Sequence, residues 1–275
     1  MSKIIITAAI SGAEVTKEMN PAVPYTVDEY IREAKSAADA GAAIIHLHAR
    51  YDDGTPTQDR ERFRAIMDAI HEACPDVIIQ PSTGGATGMT AAERLQPTEL
   101  NPEMASLDCG TLNFGGDEIF VNTENMIIEF AARMKERGIM PELECFEKGH
   151  IDLALRLAKK GYIEGPLHFN IVLGVNGGAA ATPRDLLFLR NSLPSEATFT
   201  VSGMGRHQLP MNVMAMILGG HPRTGFEDNL QYARRVNAES NGMLVARLVR
   251  IAGELGHEVA SPDEAREILH LPPRK

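Results

Sequence analysis

The sequence has no apolar stretch approaching the ~20 residues that a membrane-spanning helix needs. Its N-terminus, MSKIIITAAI, has no basic segment followed by a long apolar run, so no signal peptide is expected. Cysteine is scarce: Cys74, Cys109 and Cys145 are odd in number, far apart and without a CxxC pair. That pattern fits buried free thiols in a reducing compartment, and a cytoplasmic location is expected. Positive charge is also short, with 27 Lys and Arg against 37 Asp and Glu, a net charge of -10. Nucleic acid and anionic membrane are therefore poor partners. An anionic substrate would need a local basic site set against this field. No GxGxxG follows the first apolar run, which argues against a dinucleotide-binding open sheet. No short-period repeat or low-complexity segment is present.

What is there is an alternation. Hydrophobic residues make up 44% of 275, enough for a large core, and 23% are charged, enough to solvate its surface. Strand-like runs are expected at Ile4–Ala9, Ala43–Ala49, Val77–Gln80, Met104–Leu107, Ile139–Phe146, Leu167–Leu173, Thr198–Val201 and His221–Thr224. Helical patterns separate them. Thr26 with Glu29 is a capping box, and the helix it opens stops at Gly41. Others are expected at Asp59–Cys74, from Thr90, at Thr123–Arg137, at Asp152–Lys160, from Pro183, at Leu209–Leu218 and at Met243–Leu255. Ser261-Pro262 opens an extra C-terminal helix. Eight βα units without a linker predict one (β/α)8 barrel over residues 1–275, close to the typical size of about 250 residues.

Barrel chemistry gathers where strands hand over to helices. Glu14, His46, His48, Ser82, Thr83, Asn113, Glu142, Glu144, Asn170, Ser202, Arg206, Arg223, Glu227 and Asp228 all fall there. The pair His46 and His48 is the sharpest signal. Residues two apart on a strand share a face, about 6.5 to 7 Å apart by rise, so both imidazoles can meet one metal. Two histidines hydrogen-bonded in a polar barrel mouth would be the bland explanation. The strand is otherwise apolar (AAIIHLHA), and two inward imidazoles there need a strong partner. A catalytic zinc takes nitrogen and carboxylate ligands and keeps one position open. A carboxylate from RTGFED is the expected third ligand, although Arg223 and Glu227 could also form a plain ion pair. The glycine turns PSTGG, LNFGG, GVNGG and SGMGR expose backbone N–H groups that can cradle an anion.

The segments ITAAISGAEVTKEMNP, AGAAIIHLHAR, PSTGG, SLDCGTLNFGG, PELECFE, LGVNGG, SGMGRHQLP and GGHPRTGFEDNL resemble, in this order, the β-keto acid cleavage enzymes. The resemblance runs from about Ile4 to Leu271. It implies a zinc-dependent barrel, usually a homotetramer, that takes a β-keto acid and acetyl-CoA and returns acetoacetate and a new acyl-CoA. GAEVTKE is similar to the branch acting on 3-keto-5-aminohexanoate, which yields 3-aminobutyryl-CoA during lysine fermentation. Carried over, the resemblance implies zinc on His46, His48 and Glu227. It implies Arg223 and Asp228 as the catalytic dyad, with Asp228 taking a proton from the methyl of acetyl-CoA.

The same likeness implies Glu14 facing the substrate ammonium and Ser82, Thr83, Gly84 and Gly85 holding its carboxylate. Ser106 and Asn113 would add further contacts, Asn113 to the enolate. Gly174, Gly203 and Arg206 would meet acetyl-CoA. One glutamate of PELE serves the pocket: Glu144 is preferred, and alternation leaves Glu142 open. Two other readings compete. A zinc amidohydrolase also uses HxH, but on its first strand, whereas here the pair is on the second. A non-catalytic metabolite-binding barrel would carry no metal.

Overall fold

The eight expected strands form in a computed structural model, which describes residues 3–271. The outermost residues of the expected 1–275 unit lie outside the described residues. The strands are β1 (Thr7–Ser11), β2 (Ile44–Leu47), β3 (Ile78–Pro81), β4 (Met104–Asp108), β5 (Met140–Cys145), β6 (His168–Leu173), β7 (Thr198–Gly203) and β8 (His221–Thr224). All neighbours pair in parallel, in the order β3-β2-β1-β8-β7-β6-β5-β4. The two outer strands, β3 and β4, meet at a seam tied by side chains. The Thr83 N–H donates to Ser106 Oγ at 3.0 Å, and Thr83 Oγ1 donates to the Ser106 carbonyl at 2.7 Å. Thr83 and Ser106, expected at the substrate, are buried and tie this seam.

Each crossover is helical because the strands need an apolar cover on their outer face. Tyr30, Ala34 and Ala37 of helix Val27–Ala40, and Phe63, Ile66 and Ile70 of helix Arg60–Ala73, are buried at helical spacing against Ala8, Ile10, Ile45 and Leu47. A second belt joins Ile127, Phe130 and Met134 to Leu107, Leu143 and Ile171. The extra C-terminal helix, Pro262–Leu269, closes the floor. Its Ala265 and Leu269 pack with Ile5, Ile44, Ile78 and Met104 beneath the barrel. The glycine turn LNFGG is more structured than expected. It is part of a hairpin, Leu112–Gly115 with Glu118–Phe120. The helix expected from Asp152 starts earlier, at Lys148. Among the described residues no helix is long and apolar enough to cross a membrane.

The Thr26 capping box is formed, and Glu29 does more than cap. Its carboxylate accepts from the N–H groups of Tyr25 and Thr26 and pairs with Lys17. Burial pushes this carboxyl up, but those partners outweigh it and hold it at about 2. A depressed carboxyl stabilises the fold above its ordinary value and loses that contribution as pH falls towards 2. Glu29→Gln is therefore expected to cost about 1 kcal/mol at pH 7. In urea melts the gap between parent and variant should close near pH 2; a constant gap across that range contradicts this account.

Candidate metal and substrate site

The inner face of β2 carries His46 and His48, and the turn after β8 swings Glu227 over them. Backbone chemistry permits that approach. Gly225 has φ 138°, and a Cβ there would lie 2.2 Å from the Ala9 carbonyl oxygen. With glycine, the Glu227 N–H can donate to that carbonyl at 3.2 Å. Gly12 makes matching room, since its Cβ would meet Glu227 Cγ at 2.8 Å. Asn241 buttresses the turn: its Oδ1 accepts from the Phe226 N–H and its Nδ2 donates to the Ile10 carbonyl.

The ligand atoms of His46, His48 and Glu227 all lie within 4.8 Å of one another. His46 Nε2 is 3.3 Å from Glu227 Oε2, and His48 Nε2 is 3.5 Å from Glu227 Oε1. His46 Nδ1 lies 2.8 Å from Gln80 Oε1, which can only accept, so Nδ1 carries the proton. A neutral His46 then aims its Nε2 lone pair at a carboxylate oxygen that is buried and accepts no hydrogen bond. Two acceptors face each other, and such a pair needs a cation between them. The residues present therefore fit a divalent metal. Without one, a proton takes that place: burial pulls the His46 pKa down, but the Glu227 carboxylate more than offsets it.

Arg223 organises the remaining acids. Its Nε and Nη2 donate to both oxygens of Asp228, at 3.2 and 3.0 Å. Nη2 also reaches Glu227 Oε1 at 2.7 Å, and Nη1 donates to Glu144 Oε1 at 3.1 Å. Burial disfavours the Arg223 charge, yet Asp228, Glu227 and Glu144 together hold its pKa well above the ordinary value. Burial also opposes ionisation of Glu227, but Arg223 and the two histidines keep it well below the carboxylate range. Asp228 behaves differently. Burial raises it, Arg223 lowers it, the Glu227 charge raises it again, and it settles at about 6.

A cleft of about 280 Å³ opens over these groups. Its polar floor is His48, Glu144, Arg223 and Glu227, with Ser82, Gly84 and Gly85 on one flank and Glu14 at the rim. The rest of its lining is largely apolar: Phe114, Phe120, Phe146, Val172, Val175 and Met204. Asp228 lies behind Arg223 with its side chain covered, and His46 lies below the surface of the cleft. Of the two PELE glutamates, Glu144 lines the cleft while Glu142 sits deeper, 3.1 Å from His168 Nε2. Four other expected residues are not brought to the cleft. Asn113 and Arg206 are exposed, Arg206 beside His207. Gly174 and Gly203 do not line the cleft, although their neighbours Val175 and Met204 do.

Sequence reasoning missed two residues. Asp108, at the end of β4, lines the cleft and is buried. Burial and the neighbouring Glu144 charge push its carboxyl up to about 8, against the pull of Arg94. It is thus far more readily protonated than an ordinary carboxyl. Alternation from Ser106 places Asp108 on the inner face, a signal already present in SLD. Arg50, the last residue of HLHAR, is the other. Buried at 2% exposure, it donates to the carbonyls of Gly12, Ala13 and Val15 and so fixes the loop that carries Glu14.

A family model described as beta-keto acid cleavage enzyme matches residues 3–271. The chain belongs to the β-keto acid cleavage enzyme family. It is 68% identical over 271 residues to a 3-keto-5-aminohexanoate cleavage enzyme of Acetoanaerobium sticklandii, covering 98% of this chain and 99% of that protein. It is 39% identical over 272 residues to a 3-oxoadipate:acetyl-CoA acetyltransferase of Cupriavidus necator, covering 98% and 95%. In fold it matches ObcA, solved as a ternary complex with a C4-CoA adduct and oxalate, at a TM-score of 0.80 and 20% identity, covering 91% of this chain and 68% of that one. The family assignment, the barrel and the metal-competent triad thus agree with the sequence-based expectation.

Proposed function

We propose that this β-keto acid cleavage enzyme family member transfers the acyl group of 3-keto-5-aminohexanoate to the CoA of acetyl-CoA, giving 3-aminobutyryl-CoA and acetoacetate. The observation that carries the reading is the convergence of a metal-competent triad with an Arg223–Asp228 pair at one cleft. The 68% identity to the Acetoanaerobium relative supports the substrate. His46, His48 and Glu227 would hold the ion, and two imidazoles with one carboxylate suit zinc. Zinc on these ligands would supply Lewis-acid polarisation of the substrate ketone.

The chain's own groups account for the rest. Ser82 Oγ accepts from the Gly84 N–H at 3.0 Å, which aims its own proton away from that bond. Ser82 and the turn after it can then bind the substrate carboxylate. Glu14 at the rim would meet the ammonium group. Asp228 takes a proton, and its donor is the carbon between ketone and carboxylate. That carbon is a stronger acid than the thioester methyl of acetyl-CoA, the donor expected from the sequence. The enolate carbon attacks the acetyl carbonyl, the CoA thiolate moves to the ketone carbon, and the bond between that carbon and the former enolate carbon breaks. Asp228 returns the proton to acetoacetate. All carbons and the thiol are thereby accounted for. Arg223 separates Asp228 from the cleft, so the substrate's oxygens must draw Arg223 aside as they bind. The apolar wall of Phe114, Phe120 and Phe146 suits the thioester arm.

The test is acetyl-CoA with a panel of β-keto acids, following acetoacetate. Turnover should be highest for the 5-amino compound; no acetoacetate from any of them sinks the reading. Glu14→Gln should raise KM about tenfold for the ammonium-bearing substrate, the equivalent of one lost charged contact. Neutral β-keto acids should be unaffected. Equal effects on both classes would remove Glu14 from recognition.

A further inference from the structure

Below the metal candidate the barrel interior is polar where barrels are usually filled with branched apolar residues. Interior side chains of such a barrel stack in layers of four, taken from alternate strands. The register defines them here. Thr7 pairs Ile44, which pairs Ile78; Glu142 pairs His168, which pairs Thr198. Strand tilt lifts a layer by about one residue per strand, since the stagger totals eight over eight strands. Two strands on from Thr7 the layer therefore reaches Gln80, and two strands on from Glu142 it reaches Thr200. Thr7, Gln80, Glu142 and Thr200 form one layer. The layer above holds His46 and Arg223, and the layer below holds Ile44, Met104, His168 and His221.

Thr7, Gln80 and Glu142 are each fully buried, and each has an atom without a hydrogen-bond partner: Thr7 Oγ1, Gln80 Nε2 and Glu142 Oε1. The fourth member, Thr200, is satisfied by His168 Nε2 at 3.1 Å. Three orphaned polar atoms in one enclosed layer are an exception to the rule that buried polar groups are paired. Their chemistry is complementary. The Gln80 amide donates, the Glu142 carboxylate accepts, and the Thr7 hydroxyl can do either. An amide N–H aimed inward excludes a cation as occupant.

We propose that Thr7, Gln80 and Glu142 form a buried water site, and that this water links Glu142 to Gln80 so that both act as positioning residues for His46. The water accepts from Gln80 Nε2 and donates to Glu142 Oε1 and Thr7 Oγ1. Gln80 Oε1 then accepts a hydrogen bond from the His46 Nδ1–H at a fixed angle and leaves Nε2 free as a ligand atom. The two glutamates of PELE thereby divide their work, with Glu144 serving the cleft and Glu142 anchoring the metal ligand from beneath. The positioning half rests on the metal reading given above; the water site does not.

A crystal structure of the full chain at high resolution tests the site. One ordered solvent peak is expected within hydrogen-bonding distance of all three atoms, and its absence overturns the proposal. Chelator competition for zinc tests the positioning. Gln80→Leu should weaken zinc binding about 10- to 100-fold, as loss of a partner behind a ligating histidine does. Thr7→Val, at a position outside the cleft lining, should lose the solvent peak and weaken zinc several-fold, and Thr7→Ser should restore both. Thr7→Val binding zinc as the parent does, with the peak gone, overturns the positioning role even where Gln80→Leu fails to fold. A parent chain that binds no zinc but shows the peak removes the metal reading and leaves the water site standing.

Discussion

Asp228→Asn is expected to retain the metal and to lose about 10²- to 10⁴-fold in kcat, the usual worth of a positioned proton-transfer group. The substitution keeps size and one acceptor oxygen, so Arg223 stays in place and the triad is undisturbed. What is lost is the ability to take a proton. Asp228 suits proton abstraction because burial and the Glu227 charge raise its carboxyl to about 6 despite Arg223. It is ionised at neutral pH and yet a stronger base than an ordinary carboxylate. The competing base is Glu144, which lines the cleft directly and also contacts Arg223 and Asn170. Glu144→Gln should cost less than Asp228→Asn, because it removes one contact to Arg223 and leaves the base. Measuring kcat and metal content for both variants decides between them. A nearly active Asp228→Asn beside an inactive Glu144→Gln transfers the role to Glu144.

The barrel is legible in the sequence because its strands are short apolar runs and its helices carry caps at Thr26, Thr123 and Ser261. Those signals are local, and all three caps form. The hairpin at Leu112–Phe120 is not legible, because its glycines read equally well as a turn. The two histidines of the triad are visible through alternation within one apolar strand. Glu227 is not fixed by any such rule. It lies far from β2 in sequence, and only the family resemblance separates it from Asp228. Distances between strands are also invisible in a sequence. For that reason the hydrogen bonds by which Thr83 and Ser106 tie the β3–β4 seam cannot be read from the sequence. Asp108 and Arg50 escape a sequence reading on the same ground, since their roles come from partners on other elements.

Glu227→Gln gives the most demanding test of the metal centre, because a structural role and a metal role predict opposite results. The parent places the buried Glu227 Oε2 3.3 Å from His46 Nε2, so two acceptors face each other whenever the imidazole is neutral. Were this arrangement merely structural, removing the charge would break the Arg223 and histidine pairings and lower stability. With a metal as the intended occupant, the ion-free variant gains instead wherever His46 is neutral, that is at pH above its raised pKa. The new amide can donate to His46 Nε2, and the conflict between two acceptors disappears. The expected outcome is an unchanged or higher Tm for the metal-free variant at alkaline pH, where His46 is neutral, no zinc by elemental analysis, and a kcat lower by roughly 10²- to 10⁴-fold, the equivalent of several kcal/mol of Lewis-acid stabilisation. His46→Ala should also lose zinc and turnover. Chelator-treated parent should regain activity when zinc is restored, and neither variant should. A Glu227→Gln protein that binds zinc like the parent and turns over normally would show that the carboxylate is no ligand, and the chemistry assigned to this cleft would need another centre.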